Sequence, residues 1–303
     1  MTFLTIFSAP KPFTDAHIAT IQSNAITTWC KLGLDVEVIL VGEEQGLAKS
    51  AHRFGVKHLS QVARNYLGTP LVSSIFALAR ENSTSPLLAY VNADILLMPD
   101  FLGTARRMMD LAVKFLLVGQ RWDLDIQESL DFLDGWEQHI DRQIHTVGRL
   151  HPPAGSDYFI FPRSCFENIP DFAIGRAGWD NWMIYQARRQ GWSTVDATKS
   201  ITIVHQQHDY AHLPGGQSHR RLPETDENIR LAGGREITRF SLFDVDHRLE
   251  DGKLRGRLWQ RETLRRIIET YPLLKWNNYH LTGKITAFFH RLKFKFQPHE
   301  EDL

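Results

Sequence analysis

The stretch Tyr90-Val91-Asn92-Ala93-Asp94-Ile95-Leu96-Leu97-Met98-Pro99-Asp100-Phe101 (YVNADILLMPDF) interrupts an apolar run with polar side chains and then resumes it. Leu87 to Val91 reads as a continuous apolar strand, and Pro99-Asp100 opens a helix. A buried carboxylate without a partner is expensive, so Asp94 is expected to face a ligand, a metal ion or a structural partner.

The segments on either side repeat this alternation. Phe3 to Phe7 reads as a strand running into the proline-punctuated loop Ser8-Ala9-Pro10-Lys11-Pro12. Thr14 is then placed to cap a helix with Ile18, Ile21, Ala25, Trp29 and Leu32 on one face, ending near Gly33. Val36 to Val41 is a second strand closed by Gly42, and Thr69-Pro70 signals a helix carrying Val72, Ile75, Phe76 and Ala79. Phe115 to Val118 and Tyr158 to Phe161 are further strand candidates. Apolar strands alternating with amphipathic helices indicate an α/β fold with a largely parallel central sheet. Ligands bind such sheets at the carboxyl ends of the strands, which is where Asn92 and Asp94 fall.

Composition excludes several classes. The 303 residues can bury roughly 75% of their unfolded surface; 43% are hydrophobic and 23% charged, as in ordinary globular chains. Lys+Arg and Asp+Glu both number 35, so no global charge points to nucleic acid. Cys30 and Cys165 sit in apolar contexts without CxxC spacing and read as reduced core residues of a cytoplasmic protein. The first residues lack the basic start of a signal peptide, and no apolar run reaches the roughly 18 residues of a spanning helix. Neither GxGxxG nor GxxxxGK[ST] occurs. Charge is unevenly divided: from Lys253 to Phe296 there are eleven Lys/Arg against Glu262 and Glu269, a net +9, interleaved with Trp259, Trp276, Phe288, Phe289, Phe294 and Phe296. One reading is a helical appendage with a solvated basic face. The other is attachment to an anionic membrane surface.

Three further stretches carry chemistry-bearing side chains. GQRWDLDI places Arg121 and Asp123 just past the strand at Phe115. GWDNWMIYQARRQG opens a helix with Asp180 in its first turn, with Trp179, Trp182, Met183 and Ala187 sharing a face and Gly191 at its end. IVHQQHDYAHLPGG ends another apolar strand with His205, His208 and His212, whose spacing also suits zinc, although neither HExxH nor a cysteine partner accompanies it.

In the order Asn92-x-Asp94, Gly178-Trp179-Asp180 and strand-terminal His205, residues 2 to 216 resemble the GT-A glycosyltransferases. The resemblance lies in motif order and not in close identity. It implies a mixed, mostly parallel sheet flanked by helices, with residues 1–235 as the catalytic domain and 236–303 as a basic, aromatic-rich helical extension. It implies a nucleotide-diphosphate-sugar donor and a hydroxyl acceptor, glycan, lipid-linked or other. Asp94 would match the last acid of the family's DxD motif and His205 the late ligand of a Mn²⁺ or Mg²⁺ ion. Asp180 would match the base of inverting members. Ser8 and Pro10 match the nucleotide-binding loop in position, and Asn92, Arg121 and His208 are further donor-site candidates. Asp157 and Tyr158 are expected on the acceptor side, with the Trp179 and Trp182 rings as an acceptor platform. Asn92 stands where the family often has Asp; it can hydrogen-bond ribose or ligate weakly, but it removes a charge and leaves metal dependence open.

The chemistry needs these residue types. A sugar-diphosphate leaving group develops negative charge that a divalent cation neutralises. An acceptor alcohol needs a positioned carboxylate to take its proton. Two rivals stand beside this reading. A nucleotidyltransferase would use similar carboxylates but usually has a Gly-rich loop after the first strand, and SAPKPF lacks the glycines. A non-catalytic carbohydrate- or partner-binding protein would use a Trp-rich surface. The expected setting is the cytoplasm, with the basic extension available to the inner membrane face.

Overall fold

The structure is a computed structural model and describes residues 2–208, 222–256 and 261–296; His212 and Trp259 lie outside them. In chain order the first half comprises β1 (Leu4–Ser8), α1 (Ala16–Cys30), β2 (Val36–Val41), α2 (Leu47–Phe54), β3 (Lys57–Leu59), α3 (Val72–Glu81), β4 (Leu87–Val91), β5 (Ile95–Leu97), α4 (Asp100–Leu111), β6 (Phe115–Val118), β7 (Trp122–Leu124) and α5 (Trp136–Val147). The second half comprises β8 (Arg149–Leu150), β9 (Tyr158–Pro162), α6 (Trp179–Arg189), β10 (Ser193–Asp196), β11 (Ile203–Gln206), α7 (Pro223–Ala232), β12 (His247–Glu250), β13 (Lys253–Gly256), α8 (Arg261–Trp276) and α9 (Tyr279–Phe296).

Nine strands form the central sheet in the order β13-β12-β10-β6-β9-β4-β1-β2-β3. Pairing is parallel except where β9 runs against β4 and β6 and where β13 folds back on β12. This is the GT-A-like α/β arrangement expected from the sequence: a mixed, mostly parallel sheet flanked by helices, with a helical region at its C-terminal end. Period-two alternation feeds two apolar layers. Leu87, Ala89 and Val91 of β4 pack on one face with Trp29 of α1 and Phe101 of α4. Leu88 and Tyr90 pack on the other with Phe76 of α3 and Trp179 of α6. Both faces are covered, which is why the strands read as unbroken apolar runs.

Some boundaries differ from the sequence reading for local reasons. Asp15, not Thr14, caps α1, because its carboxylate accepts from the Ile18 amide at 2.8 Å. Thr69-Pro70 does not open α3: Pro70 and Leu71 are held in bridges to Arg64 and Ala173, and the helix starts at Val72. Cys165 is buried as expected, whereas Cys30 ends α1 and is exposed. Residues 247–256 add β12 and β13 to the main sheet, and α8 docks beside them through ions. Arg266 donates to both carboxylate oxygens of Asp244 at 2.9 Å, and Glu269 accepts from Arg266 and Arg265.

Candidate active site

A second, four-stranded sheet in the order β5-β11-β7-β8 sits past the end of β4 and builds the site. Asn92-Ala93-Asp94 is the turn between β4 and β5, closed by the Ile95 amide donating to the Asn92 carbonyl at 3.2 Å. The polar break in the sequence is therefore the place where the chain leaves one sheet for another. Backbone register does the rest. His205 of β11 pairs antiparallel with Ile95 and parallel with Asp123 of β7, so residues more than 80 positions apart in sequence are fixed side by side. Gln206, fully buried, ties this junction to α1: its amide donates to the carbonyls of Asp94 and Ile21, and its oxygen accepts from Asn24.

The Asp94 carboxylate meets two imidazoles. Its Oδ2 lies 3.0 Å from His208 Nε2 and 3.8 Å from His205 Nε2, while Oδ1 is buried with no hydrogen-bond partner among the described residues. Burial pushes the Asp94 carboxyl up, but the His208 hydrogen bond and the neighbouring His205 and Lys11 outweigh it and hold the group well below the usual carboxylate range. Lys11 extends from the loop after β1 to within 3.5 Å of His208, and Gln22 fixes that loop by bonding the Lys11 amide and carbonyl.

One ligand atom from each of Asp94, His205 and His208 can be chosen so that all three lie within 4.8 Å of one another. Ligands roughly 2.0–2.3 Å from one ion stand at separations of this order. The donor chemistry fits a divalent cation: one carboxylate with an unsatisfied buried oxygen, and His205 oriented so that Nε2 faces Asp94. That orientation comes from Asp123, whose Oδ1 lies 3.1 Å from His205 Nδ1. A carboxylate on the far ring nitrogen fixes the proton there and leaves Nε2 for a metal. A cluster able to hold a divalent cation is thus present although Asn92 removes the first acid, with His208 offering a second imidazole beside His205.

Asn92 itself turns away from this cluster and donates to Asp157 Oδ1 at 3.0 Å. Arg121 ties Asp157 to Asp123: Nη1 donates to both Asp157 oxygens at 2.8 and 2.9 Å, and Nε donates to Asp123 at 2.9 Å. His151 Nδ1 lies 3.0 Å from the other Asp123 oxygen. Burial raises the Asp123 carboxyl, but His205, His151 and Arg121 together bring it well below its ordinary range. Ser8 ends β1 with a buried hydroxyl that has no hydrogen-bond partner among the described residues, and Pro10 is buried two positions on.

Asp180 lies in the first turn of α6, where its Oδ1 accepts from the Gly178 amide at 3.3 Å. Gly178 adopts φ 109°, a left-handed conformation that a side chain would strain. Burial raises the Asp180 pKa; the amides of Asn181, Gly178 and Asp180 oppose it and the Asp157 charge reinforces it. The flanking tryptophans do not form a platform. Trp179 is buried edge-on against Tyr90 at 5.1 Å and Trp182 against Phe172 at 5.4 Å, because the helix turns its apolar face to the core. Tyr158 likewise is fully buried, packed on Phe101, and does not line an open face. Sequence reading missed the roles of Asp123, His151, Lys11 and Gln206; only the position of Asp123 past β6 hinted at one of them.

No protein-family model matches this chain, and no curated protein matches it. Among solved structures it is similar to glucosyl-3-phosphoglycerate synthase from Mycobacterium tuberculosis in complex with Mn²⁺, uridine diphosphate and phosphoglyceric acid, at 12% identity and TM-score 0.47, covering 77% of this chain and 79% of that one. It is also similar to a mannosyltransferase from Pyrobaculum calidifontis in complex with GDP-Man and Mn²⁺, at 12% identity and TM-score 0.48, covering 97% and 76%. S. aureus TarS 1–349 in complex with UDP-GlcNAc aligns at 12% identity and TM-score 0.45, covering 77% and 65%. At such identity and overlap the reading of this site rests on its own residues.

Proposed function

We propose that this protein is a GT-A-type glycosyltransferase that moves a sugar from a nucleotide-diphosphate donor to a hydroxyl acceptor with inversion. The observation that carries the reading is the convergence of Asp94, His205 and His208 at the carboxyl edge of β4, next to the β1 loop. These three residues would hold Mn²⁺ or Mg²⁺; the two imidazoles favour Mn²⁺, since Mg²⁺ prefers all-oxygen shells. When bound, the cation supplies neutralising charge to the diphosphate.

The chain's own residues do the rest. Lys11 adds positive charge beside the diphosphate position, and the buried Ser8 hydroxyl and Pro10 border the nucleoside end. Asp180 accepts the acceptor's proton as the acceptor oxygen bonds to the anomeric carbon, and the bond from that carbon to the diphosphate breaks with its electron pair on the nucleotide. A carboxyl whose pKa is raised above the ordinary value is better matched to this proton transfer than an exposed one. Arg121, paired with Asp123 and Asp157, would link the cation ligands to Asp157, whose charge reaches Asp180.

The test is release of nucleoside diphosphate from a panel of UDP- and GDP-sugars with Mn²⁺, with thermal shift reporting donor binding. Wild type is expected to bind one donor and release its diphosphate, and Asp94→Ala to lose both metal and donor stabilisation. Absence of any nucleotide-sugar shift, with and without Mn²⁺, would remove the basis of the proposal.

A further inference from the structure

The two C-terminal helices present apolar and cationic side chains that the proposed chemistry does not use. On α8, Leu264, Ile267, Ile268, Tyr271 and Lys275 follow helical spacing and are all exposed. At the turn into α9, Trp276 is 62% exposed and sets its ring edge-on to Tyr271 at 5.2 Å. On α9, Lys284, Phe288 and Arg291 fall at i, i+4 and i+7 and are exposed, Phe288 to 59%. Among the described side chains of both helices the only carboxylate is Glu269, and it is buried against Arg265 and Arg266. Among the described side chains of these helices, every charge turned to solvent is therefore positive. Isolated exposed apolar residues need no explanation, but a stripe of them beside unopposed cations does.

We propose that the α8–α9 hairpin docks the protein on an anionic phospholipid bilayer. Trp and Tyr suit the headgroup boundary because their rings are apolar and their edges polar. Each Lys or Arg near an anionic leaflet adds attraction of about fivefold in partition. No described helix is long and apolar enough to cross a membrane, so the contact is interfacial. A two-fold dimer through this face is disfavoured: like charges would oppose one another, and among the described side chains of α8 and α9 no exposed acid answers them.

The experiment uses the full chain with two vesicle types, phosphatidylcholine alone and phosphatidylcholine mixed with phosphatidylglycerol, read by co-sedimentation. Binding is expected to the mixed vesicles only and to weaken with salt. Lys275→Gln/Lys284→Gln/Arg291→Gln together should lower partition on the order of 100-fold. Trp276→Ala/Phe288→Ala should lower it by on the order of tenfold or more through lost apolar insertion. Unchanged circular dichroism and melting of both variants show that the fold survives. Equal binding to the two vesicle types, no binding to either, or unchanged binding by the Gln variant would overturn the proposal. So would an aromatic variant that changes oligomeric state while vesicle binding stays constant, since the occupant would then be a second copy.

Discussion

Asp123 is expected to set metal affinity without touching the metal, and two substitutions grade the effect. Its Oδ1 lies 3.1 Å from His205 Nδ1 and accepts from Arg121 Nε at 2.9 Å, while Oδ2 lies 3.0 Å from His151 Nδ1. In Asp123→Asn one oxygen becomes an NH₂. Arginine has no acceptor and cannot adapt, so the amide oxygen should stay on the Arg121 side. His205 then keeps a hydrogen bond and its orientation but loses the negative partner, and a neutral bond is about half as strong as a charge-assisted one. Loss of an outer-shell partner costs 10–100-fold in metal affinity, and this variant belongs at about tenfold. Asp123→Ala removes the bond altogether and frees the ring to rotate or to exchange its proton onto Nε2. It belongs near 100-fold, which is about 2.7 kcal/mol.

The assay is calorimetric titration of each variant with Mn²⁺, paired with unfolding curves to show that the titrated protein is folded. A purely structural Asp123 would lower the melting temperature and leave the dissociation constant of the folded protein unchanged. Wild-type affinity in Asp123→Ala would therefore refute the positioning role, and equal losses in the two variants would refute the hydrogen-bond argument for the grading.

Asp180→Asn should cut turnover by about 10²–10⁴-fold with donor affinity little changed. It should also raise the melting temperature at neutral pH. Because burial raises the folded-state pKa of Asp180, its proton stabilises the fold below the unfolded pKa, and that stability is lost as pH rises through the folded value. The gain from Asn should vanish as pH falls toward about 4, and a drop in melting temperature at neutral pH would instead mark a simple cap. Asn92→Asp would set a second carboxylate about 3.0 Å from Asp157 Oδ1; metal-free protein should melt lower at neutral pH, with the difference closing toward about pH 4 as one group protonates. Arg266→Ala should cost about 3–5 kcal/mol in denaturant unfolding, because it strips the main partner from buried Asp244 and one of two from buried Glu269.

The parts of the fold legible in the sequence are those with a one-dimensional signature. Leu87–Val91 and Phe115–Val118 are buried on both faces, so an unbroken apolar run was sufficient to locate them to the residue, and Val36–Val41 was located as well because only Glu37 interrupts it. Two strands of the second sheet have no such run: Trp122–Leu124 and Arg149–Leu150 are two or three residues long and owe their conformation to pairing. The site divides the same way. Asp94 and His205 announced themselves because each breaks or ends an apolar segment. Asp123 did not, because its role depends on the parallel register of β7 with β11, a contact 82 residues away in sequence. The tryptophans of α6 misled because aromatic spacing on a helix looks the same whether the face meets solvent or core, and tertiary packing settles which.

Charge balance explains why an Asn can stand at position 92. Asp94, Asp123 and Asp157 are linked through His205 and Arg121, and Asp180 feels the Asp157 charge; against these four carboxylates stand the Arg121 guanidinium and the Lys11 ammonium. At formal charge the four acids exceed the two cations by two, which would be adverse to the diphosphate of the proposed donor. A fifth acid at Asn92 would face Asp157 directly and compete with it for Arg121, whose two sides are engaged. The amide avoids both costs by donating to Asp157. On the proposed function, imidazole ligands would complete the cation site without adding negative charge, so that one divalent ion would neutralise the pocket before an anionic donor enters. A second aspartate in the turn would have required a still larger positive charge to reach the same state, and that is the physical reason an Asn-x-Asp turn paired with two histidines can serve where two acids would otherwise stand.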